Sequence, residues 1–276
     1  MQTLGHLEQC MKQSLLISFL LTLTLVHTSP AAALGSTPEP PAQKEATRTT
    51  AAITPSVGKN APVPATAWAG TADPSLPNVL ILGDSISIGY TLQVRSLMQR
   101  KANVFRPLTP NGTHPANCEG TTLGVLKLDE WLRARKWDVI YFNWGLHDLK
   151  RVKIAGSAQN SSDPADPPQA DLETYRRNLE TMLPKLKATG AKLIFATTTP
   201  VAPGTTNPFR DPSDPPRYNA AAISLMQSQG VRVHDLFSQC EPLLSKLQQP
   251  KNVHFTPSGS QFLAERVAAV ISEELR

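Results

Sequence analysis

The run Asn78-Val79-Leu80-Ile81-Leu82-Gly83-Asp84-Ser85-Ile86-Ser87-Ile88-Gly89-Tyr90 decides how the rest of the chain is organised. Val79 to Leu82 is a short unbroken set of branched apolar residues, the pattern of a strand covered on both faces, as in a parallel sheet. Gly83 breaks the strand, Asp84 and Ser85 follow at once, and a helix is predicted from about Ser87 to Arg100. In an open α/β sheet, ligands and chemistry collect at the carboxyl ends of strands. Asp84-Ser85 therefore has two readings. It is a helix cap, or it presents a serine nucleophile beside the N–H groups of a helix start, where an oxyanion can be held. The G-x-S-x-G elbow is absent, because position 87 is serine.

Beyond this stretch, strands and helices alternate. Further strands are predicted at Asn103–Pro107, Trp137–Asn143, Lys192–Thr197 and Val231–His234, with Val139, Ile140, Tyr141 and Phe142 as the most buried run. Helices are predicted at about Thr122–Arg135, with Leu123, Leu126 and Trp131 near one face, and at Asp171–Lys187, stopped by Gly190. Three more are expected near Tyr218–Ser228, Asp235–Leu247 and Pro257–Leu275. Five strands alternating with helices imply a parallel sheet with right-handed crossovers, that is, a three-layer α/β/α domain. The polar segments Ala155–Ala170 and Pro200–Pro216 read as surface insertions, placed where they can border a substrate opening.

This domain occupies roughly residues 76–276 of 276. Ahead of it, Ser14 to Val26 is apolar but short for a membrane span, with Lys12 before it and Ala31-Ala32-Ala33 after it. That is the layout of a cleavable signal peptide over residues 1–33, which implies a secreted or periplasmic protein without stable membrane insertion. Residues 34–75 are rich in Pro, Ala, Thr and Ser, a composition too poor in large apolar groups to offset ordering entropy, and so predict a disordered tether. The net charge of +5 belongs to the domain and is not arranged as a basic cluster with interleaved aromatics, which argues against nucleic-acid binding. Histidines lack paired ligand spacing and no Gly-rich phosphate loop occurs, so neither metal nor nucleotide cofactor is expected. Cys118 and Cys240 remain after loss of Cys10 with the leader, and an exported setting permits a bridge between them. Asn111-Gly112-Thr113 and Asn160-Ser161-Ser162 fit glycosylation acceptors.

Two further segments join Ser85 as candidate chemistry. Asn143-Trp144-Gly145-Leu146-His147-Asp148 follows the third strand, and Asn252-Val253-His254-Phe255-Thr256-Pro257-Ser258-Gly259 precedes the last helix. In order and spacing these resemble the motif blocks of the SGNH (GDSL-type) hydrolases. Gly83-Asp84-Ser85 matches the first block, Gly145 to Asp148 the third and His254 the fifth. The resemblance spans nearly all of Asn78 to Leu275. It implies a flavodoxin-like fold and a cofactor-free serine esterase, with Ser85 as nucleophile and His254 as the base that takes its proton. It also implies an oxyanion hole formed by the N–H of Ser85, a glycine after the second strand for which Gly120 is the best match, and His147. Asp84, Gly145, Asp148 and Asn252 are then supporting residues.

Two positions depart from the family pattern. His147 stands where asparagine is usual, though a neutral imidazole still offers one N–H. Lys251 stands three residues before His254, where an aspartate is usual, and cannot accept the imidazole N–H. His254 is then oriented by a backbone carbonyl, by the Asn252 side chain, or by a distant acid, of which Asp235 is the first to consider, although it also reads as a helix cap. The expected substrates are small-molecule or polysaccharide esters, with acetyl groups on carbohydrate first. Longer-chain lysophospholipids or thioesters are the alternative, and a catalytically silent glycan- or protein-binding domain is the rival.

Overall fold

A computed structural model describes residues 63–276; the expected leader and the tether as far as residue 62 lie outside the described residues. Five parallel strands form one sheet: β1 (Asn78–Leu82), β2 (Asn103–Phe105), β3 (Val139–Phe142), β4 (Lys192–Ala196) and β5 (Arg232–His234), in spatial order β2-β1-β3-β4-β5. Val79 is paired in register with Val104 on one side and Val139 on the other. Val79 to Leu82 and Val139 to Phe142 are fully buried, which is why both runs lack the in–out alternation of a half-exposed strand.

From β1 the chain moves outward to β2 and then crosses back over β1 to β3. Right-handed crossovers therefore place the connecting helices on opposite faces. Helices α2 (Ser85–Leu97) and α8 (Pro257–Glu274) pack together on one face. On the other lie α3 (Thr121–Leu132), α4 (Leu172–Ala188) and α5 (Asp214–Ser228), α4 packing on both of the others. The reversal of winding direction opens a crevice between the carboxyl ends of β1 and β3.

Some expectations need correction. Trp131 is buried as expected, but Leu126 is 74 % exposed; Gly124 and Leu128 complete the inward face with Trp131, because Gly124 lies tight against Met182 and Trp144. The single helix expected over Asp235–Leu247 is broken into α6 (Leu236–Cys240), a 3₁₀ turn (Glu241–Leu243) and α7 (Leu244–Leu247), with Pro242 at the break. Helix α5 starts before Tyr218, at Asp214, because Pro215 and Pro216 fall in its first turn, where proline costs no hydrogen bond. The segment from Ala65 to Ser75 is docked onto the domain. It forms a short helix, α1 (Ala65–Ala69), buries Trp68, and receives the Arg95 guanidinium on the carbonyls of Ala67 and Trp68. Asp73 and Asn103 exchange two hydrogen bonds of 2.9 and 2.8 Å just beyond it. Cys118 and Cys240 are buried and unbridged. Among the described residues no helix is long and apolar enough to cross a membrane.

Candidate active site

Leu82 ends β1 and Ser85 opens α2, so the chain turns from strand to helix within two residues. Asp84 is the N-cap: its Oδ1 accepts the Ile86 N–H at 3.0 Å. The cap reading thus holds for Asp84 and leaves the Ser85 side chain free of that role. Asp84 holds the helix start and Ser85, half-buried, faces a cavity. Burial holds the Asp84 carboxyl above the ordinary carboxylate range, opposed by the Ile86 N–H and by the charges of Arg210, His254 and Arg106.

Beneath this turn lies Arg106, a residue the sequence reading did not single out. Its guanidinium donates to the Gly83 carbonyl (3.2 Å), the Ala116 carbonyl (2.8 Å), Ser87 Oγ (3.1 Å) and Thr91 Oγ1 (3.0 Å). It ties the nucleophile turn to the loop after β2. The only cue in sequence was a cation immediately after a buried strand, and that pattern is common on protein surfaces. The same loops are joined by backbone contacts. Gly83 O accepts the Cys118 N–H (3.2 Å), and Cys118 O accepts the indole N–H of Trp144 (3.3 Å).

His254 arrives from the other end of the chain, on the loop that leads into α8. Its Nε2 lies 2.9 Å from Ser85 Oγ. Its Nδ1 lies 2.8 Å from Asn252 Oδ1, and the same oxygen accepts the His254 backbone N–H at 3.1 Å. A backbone N–H is always a donor, so the Asn252 atom between the two must be its oxygen. Nδ1 therefore carries the proton and Nε2 turns a lone pair toward the serine. Of the orienting groups considered, Asn252 is the one present. Asp235 caps α6, its carboxylate accepting from Ser238 and Thr197, and does not contact His254. Lys251 adopts a left-handed backbone (φ 54°) and lays its stem on Gly204.

The turn after β3 supplies the opposite wall. Burial, reinforced by Lys150, Arg210 and His254, pushes the His147 imidazole down to about 3, so it is neutral at any ordinary pH. Its Nδ1 is buried without a partner among the described residues, which leaves Nε2 to the cavity. An orphaned acceptor is less costly than an orphaned N–H, so the proton belongs on Nε2. Asp148 is buried behind it. Its Oδ1 accepts from the Thr121 N–H (2.9 Å) and Thr121 Oγ1 (2.5 Å), anchoring the start of α3. Burial raises its carboxyl to about 7.

Gly120 sits where the loop after β2 enters α3. It is the N-cap residue of α3, and a Cβ there would sit 3.2 Å from the Asp148 carboxyl, so the glycine is needed for close packing. Asn117 is the residue this loop gives to the lining; its Oδ1 also accepts the N–H of Glu119, whose φ is 48°.

The cavity has a volume of about 590 Å³. Leu146, Pro208 and Val253 are its main apolar members; the rest of the lining is polar or charged, including Lys150, Arg210 and Lys251. Both expected insertions contribute to the rim, through Asn160 and through Gly204 to Pro208. They are joined by backbone hydrogen bonds from Arg151 N to Phe209 O (2.8 Å), Phe209 N to Ser161 O (2.8 Å) and Ser161 N to Arg151 O (2.9 Å). Among the described residues no three His, Cys, Asp or Glu side chains converge as a metal site.

Comparison with known proteins places the fold and the family. No curated protein sequence matches the chain significantly. Solved structures that share the fold include an acetyl xylan esterase, AlAXEase (14 % identity, TM-score 0.55, 70 % of this chain and 99 % of that one). A lipase/acylhydrolase from Enterococcus faecalis (20 %, 0.56, 71 % and 96 %) and a carbohydrate esterase family 3 protein from Talaromyces cellulolyticus (16 %, 0.52, 72 % and 98 %) are also similar. The sequence model of one family matches residues 81–262, a span that holds Ser85, His147 and His254 alike. By that match the chain belongs to the GDSL-like lipase/acylhydrolase family.

Proposed function

We propose that the protein is an exported serine esterase that removes short acyl groups, acetyl first, from carbohydrate. The observation that carries the reaction type is the 2.9 Å contact between Ser85 Oγ and a His254 ring nitrogen whose tautomer is fixed by Asn252. Ser85 Oγ attacks the ester carbonyl while its proton passes to His254 Nε2. The carbonyl oxygen becomes an oxyanion, for which the Nε2–H of neutral His147 and the Ser85 N–H are the donors at this end of the sheet. Each such donor typically accounts for roughly 3 kcal/mol of transition-state stabilisation. The C–O bond to the alcohol then breaks, the alcohol leaves with the proton from His254, and an acyl-Ser85 ester remains. Water gives a proton to His254 and attacks this ester; Ser85 leaves as the hydroxyl, reprotonated by His254, and the carboxylic acid is released.

The short-acyl reading is supported by the lining, which has no extended apolar wall for a long chain, and by a volume suited to a sugar-sized alcohol. Structural neighbours described as acetyl xylan and acetyl-xylooligosaccharide esterases point the same way. Export is supported by the leader-like layout of residues 1–33.

The test is labelling with a fluorophosphonate probe, followed by a 4-nitrophenyl ester series from acetyl to palmitoyl. Stoichiometric labelling that is lost in Ser85→Ala is expected, with turnover falling at least about 10⁴-fold in that variant and activity declining as the acyl chain lengthens. Folded wild-type protein that takes no label overturns the esterase reading; a preference for palmitoyl overturns the short-acyl one.

A further inference from the structure

Three arginine and lysine side chains are buried near the nucleophile, and they are not treated alike. Arg106, 5 % exposed, gives four hydrogen bonds to protein oxygens through its two terminal nitrogens, and only its Nε lacks a partner among the described residues. Arg210 and Lys150 are equally buried, at 6 % each, and both line the cavity. Arg210 makes one hydrogen bond, from Nε to the Leu146 carbonyl at 2.7 Å, which leaves the outer edge of its guanidinium unused. The Lys150 ammonium has no hydrogen-bond or ion-pair partner among the described residues. The acids whose charges they feel are committed elsewhere or stand off. Asp84 caps α2, Asp148 anchors α3 with its carboxyl raised to about 7, and Glu119 attracts Lys150 without forming an ion pair. On the same side, His147 is neutral and Lys251 adds a third cation to the rim.

Holding two cations out of bulk water without counter-charges is costly. Arg151, a comparable side chain outside the cavity, is paired with Asp214 at 3.1 Å. Arg106 likewise has no carboxylate partner, but protein oxygens surround it, whereas Arg210 and Lys150, on the wall of the cavity that contains Ser85, have one such contact between them among the described residues. We propose that Lys150 and Arg210 form a binding site for a carboxylate on the alcohol portion of the substrate, so that the ester hydrolysed is a short acyl ester of an acidic saccharide, such as a uronic acid. This rests on the esterase reading above and narrows its substrate class. The charge is assigned to the alcohol because the acyl group of a short ester leaves most of about 590 Å³ to the alcohol. The free edge of a guanidinium beside an ammonium also suits a planar carboxylate.

The experiment compares kcat and KM for four esters: 4-nitrophenyl acetate, 4-nitrophenyl hemisuccinate, an O-acetylated methyl glucoside and the matching O-acetylated methyl glucuronide. Wild type is expected to favour the acetylated glucuronide over the glucoside by about tenfold or more in kcat/KM, chiefly through KM. The preference should shrink as salt is raised from about 0.05 to 0.5 M. Lys150→Met and Arg210→Gln should each bring the ratio toward unity. Arg210→Gln gives up a contact to Leu146 and can lose stability; Lys150→Met breaks no side-chain hydrogen bond or ion pair among the described residues and keeps the test decisive. Equal rates on the two acetylated glycosides overturn the inference, as does a preference that survives both substitutions. An equal fall of kcat on neutral and acidic esters also overturns it, because it assigns the charges to the oxyanion. A charge preference seen with hemisuccinate but not with the glucuronide overturns the assignment to the alcohol. If 4-nitrophenyl acetate is not hydrolysed and Ser85 takes no fluorophosphonate, the esterase reading itself fails and this inference with it; hydrolysis without uronide preference removes only the inference.

Discussion

Asn252 does in this protein the orienting that a carboxylate usually does, and with one difference in consequence. Its Oδ1 fixes the His254 tautomer through two donors, so the geometry for proton abstraction is complete. What a neutral amide cannot supply is charge to stabilise the imidazolium that forms after the serine proton arrives. Asn252→Asp keeps the acceptor and adds that charge, and is expected to raise kcat by roughly tenfold. Asn252→Ala removes the acceptor and should lower kcat by about 10- to 100-fold while leaving fluorophosphonate labelling detectable. Steady-state kinetics on 4-nitrophenyl acetate checks the pair; an Asn252→Asp no faster than wild type would show that the missing charge does not limit the rate. Lys251→Asp, which restores the family's residue by position, is not expected to help, since the Lys251 stem lies on Gly204 and Nδ1 is already occupied.

At the scale of elements, the site depends on how closely the turn after β3 passes the end of β4. Gly145 has φ 152°, and a Cβ there would lie 1.9 Å from Thr198 Oγ1, a hydroxyl that donates to the Trp144 carbonyl at 3.0 Å. Neither atom can yield, since Trp144 O also accepts from Tyr175 Oη at 2.9 Å and Thr198 N–H is held by Asn219. Gly145→Ala should therefore destabilise the fold by about 3 kcal/mol or more and displace His147. Urea denaturation gives the first quantity. A variant of unchanged stability would mean the turn relaxes freely. The glycine was legible as part of a motif; the reason for it was not, because Thr198 is more than fifty residues away.

At the scale of the whole molecule, buried titratable groups of opposite habit set the response to pH. His147 and His234 are pushed down, to about 3 and about 4, so the unfolded chain binds their protons first. Their stabilising effect is complete above the unfolded value of 6.5 and is lost as pH falls below it. Asp148 is pushed up to about 7 from 3.8, so the folded state binds its proton first, and this group stabilises more as pH falls from about 7 toward 4. The contributions oppose each other over the acid range. Asp148→Asn retains an oxygen for Thr121 and removes the titration, so relative to wild type it should be more stable at pH 8 than at pH 5. Tm measured for both proteins across that range checks this; a difference that does not change with pH would show that Asp148 does not titrate there.

How much could be read beforehand follows from the range of the interactions involved. The sequence by itself determined the sheet, because strand burial and helix periodicity are local patterns. It also singled out Ser85 and His254 as candidates, through motif blocks whose order and spacing along the chain resemble those of one family. The breaks were lost where a local pattern was ambiguous, as with Leu126 on α3 and Pro242 within the expected helix. Only the tertiary structure decided which group faces which. It brought Ser85 within 2.9 Å of a histidine 169 residues away, and gave the orienting role to Asn252 rather than Asp235. It also left Lys150 and Arg210 buried at the cavity wall without an ion-pair partner among the described residues. Charge pairing and burial are properties of neighbours in space, and no spacing along the chain encodes them.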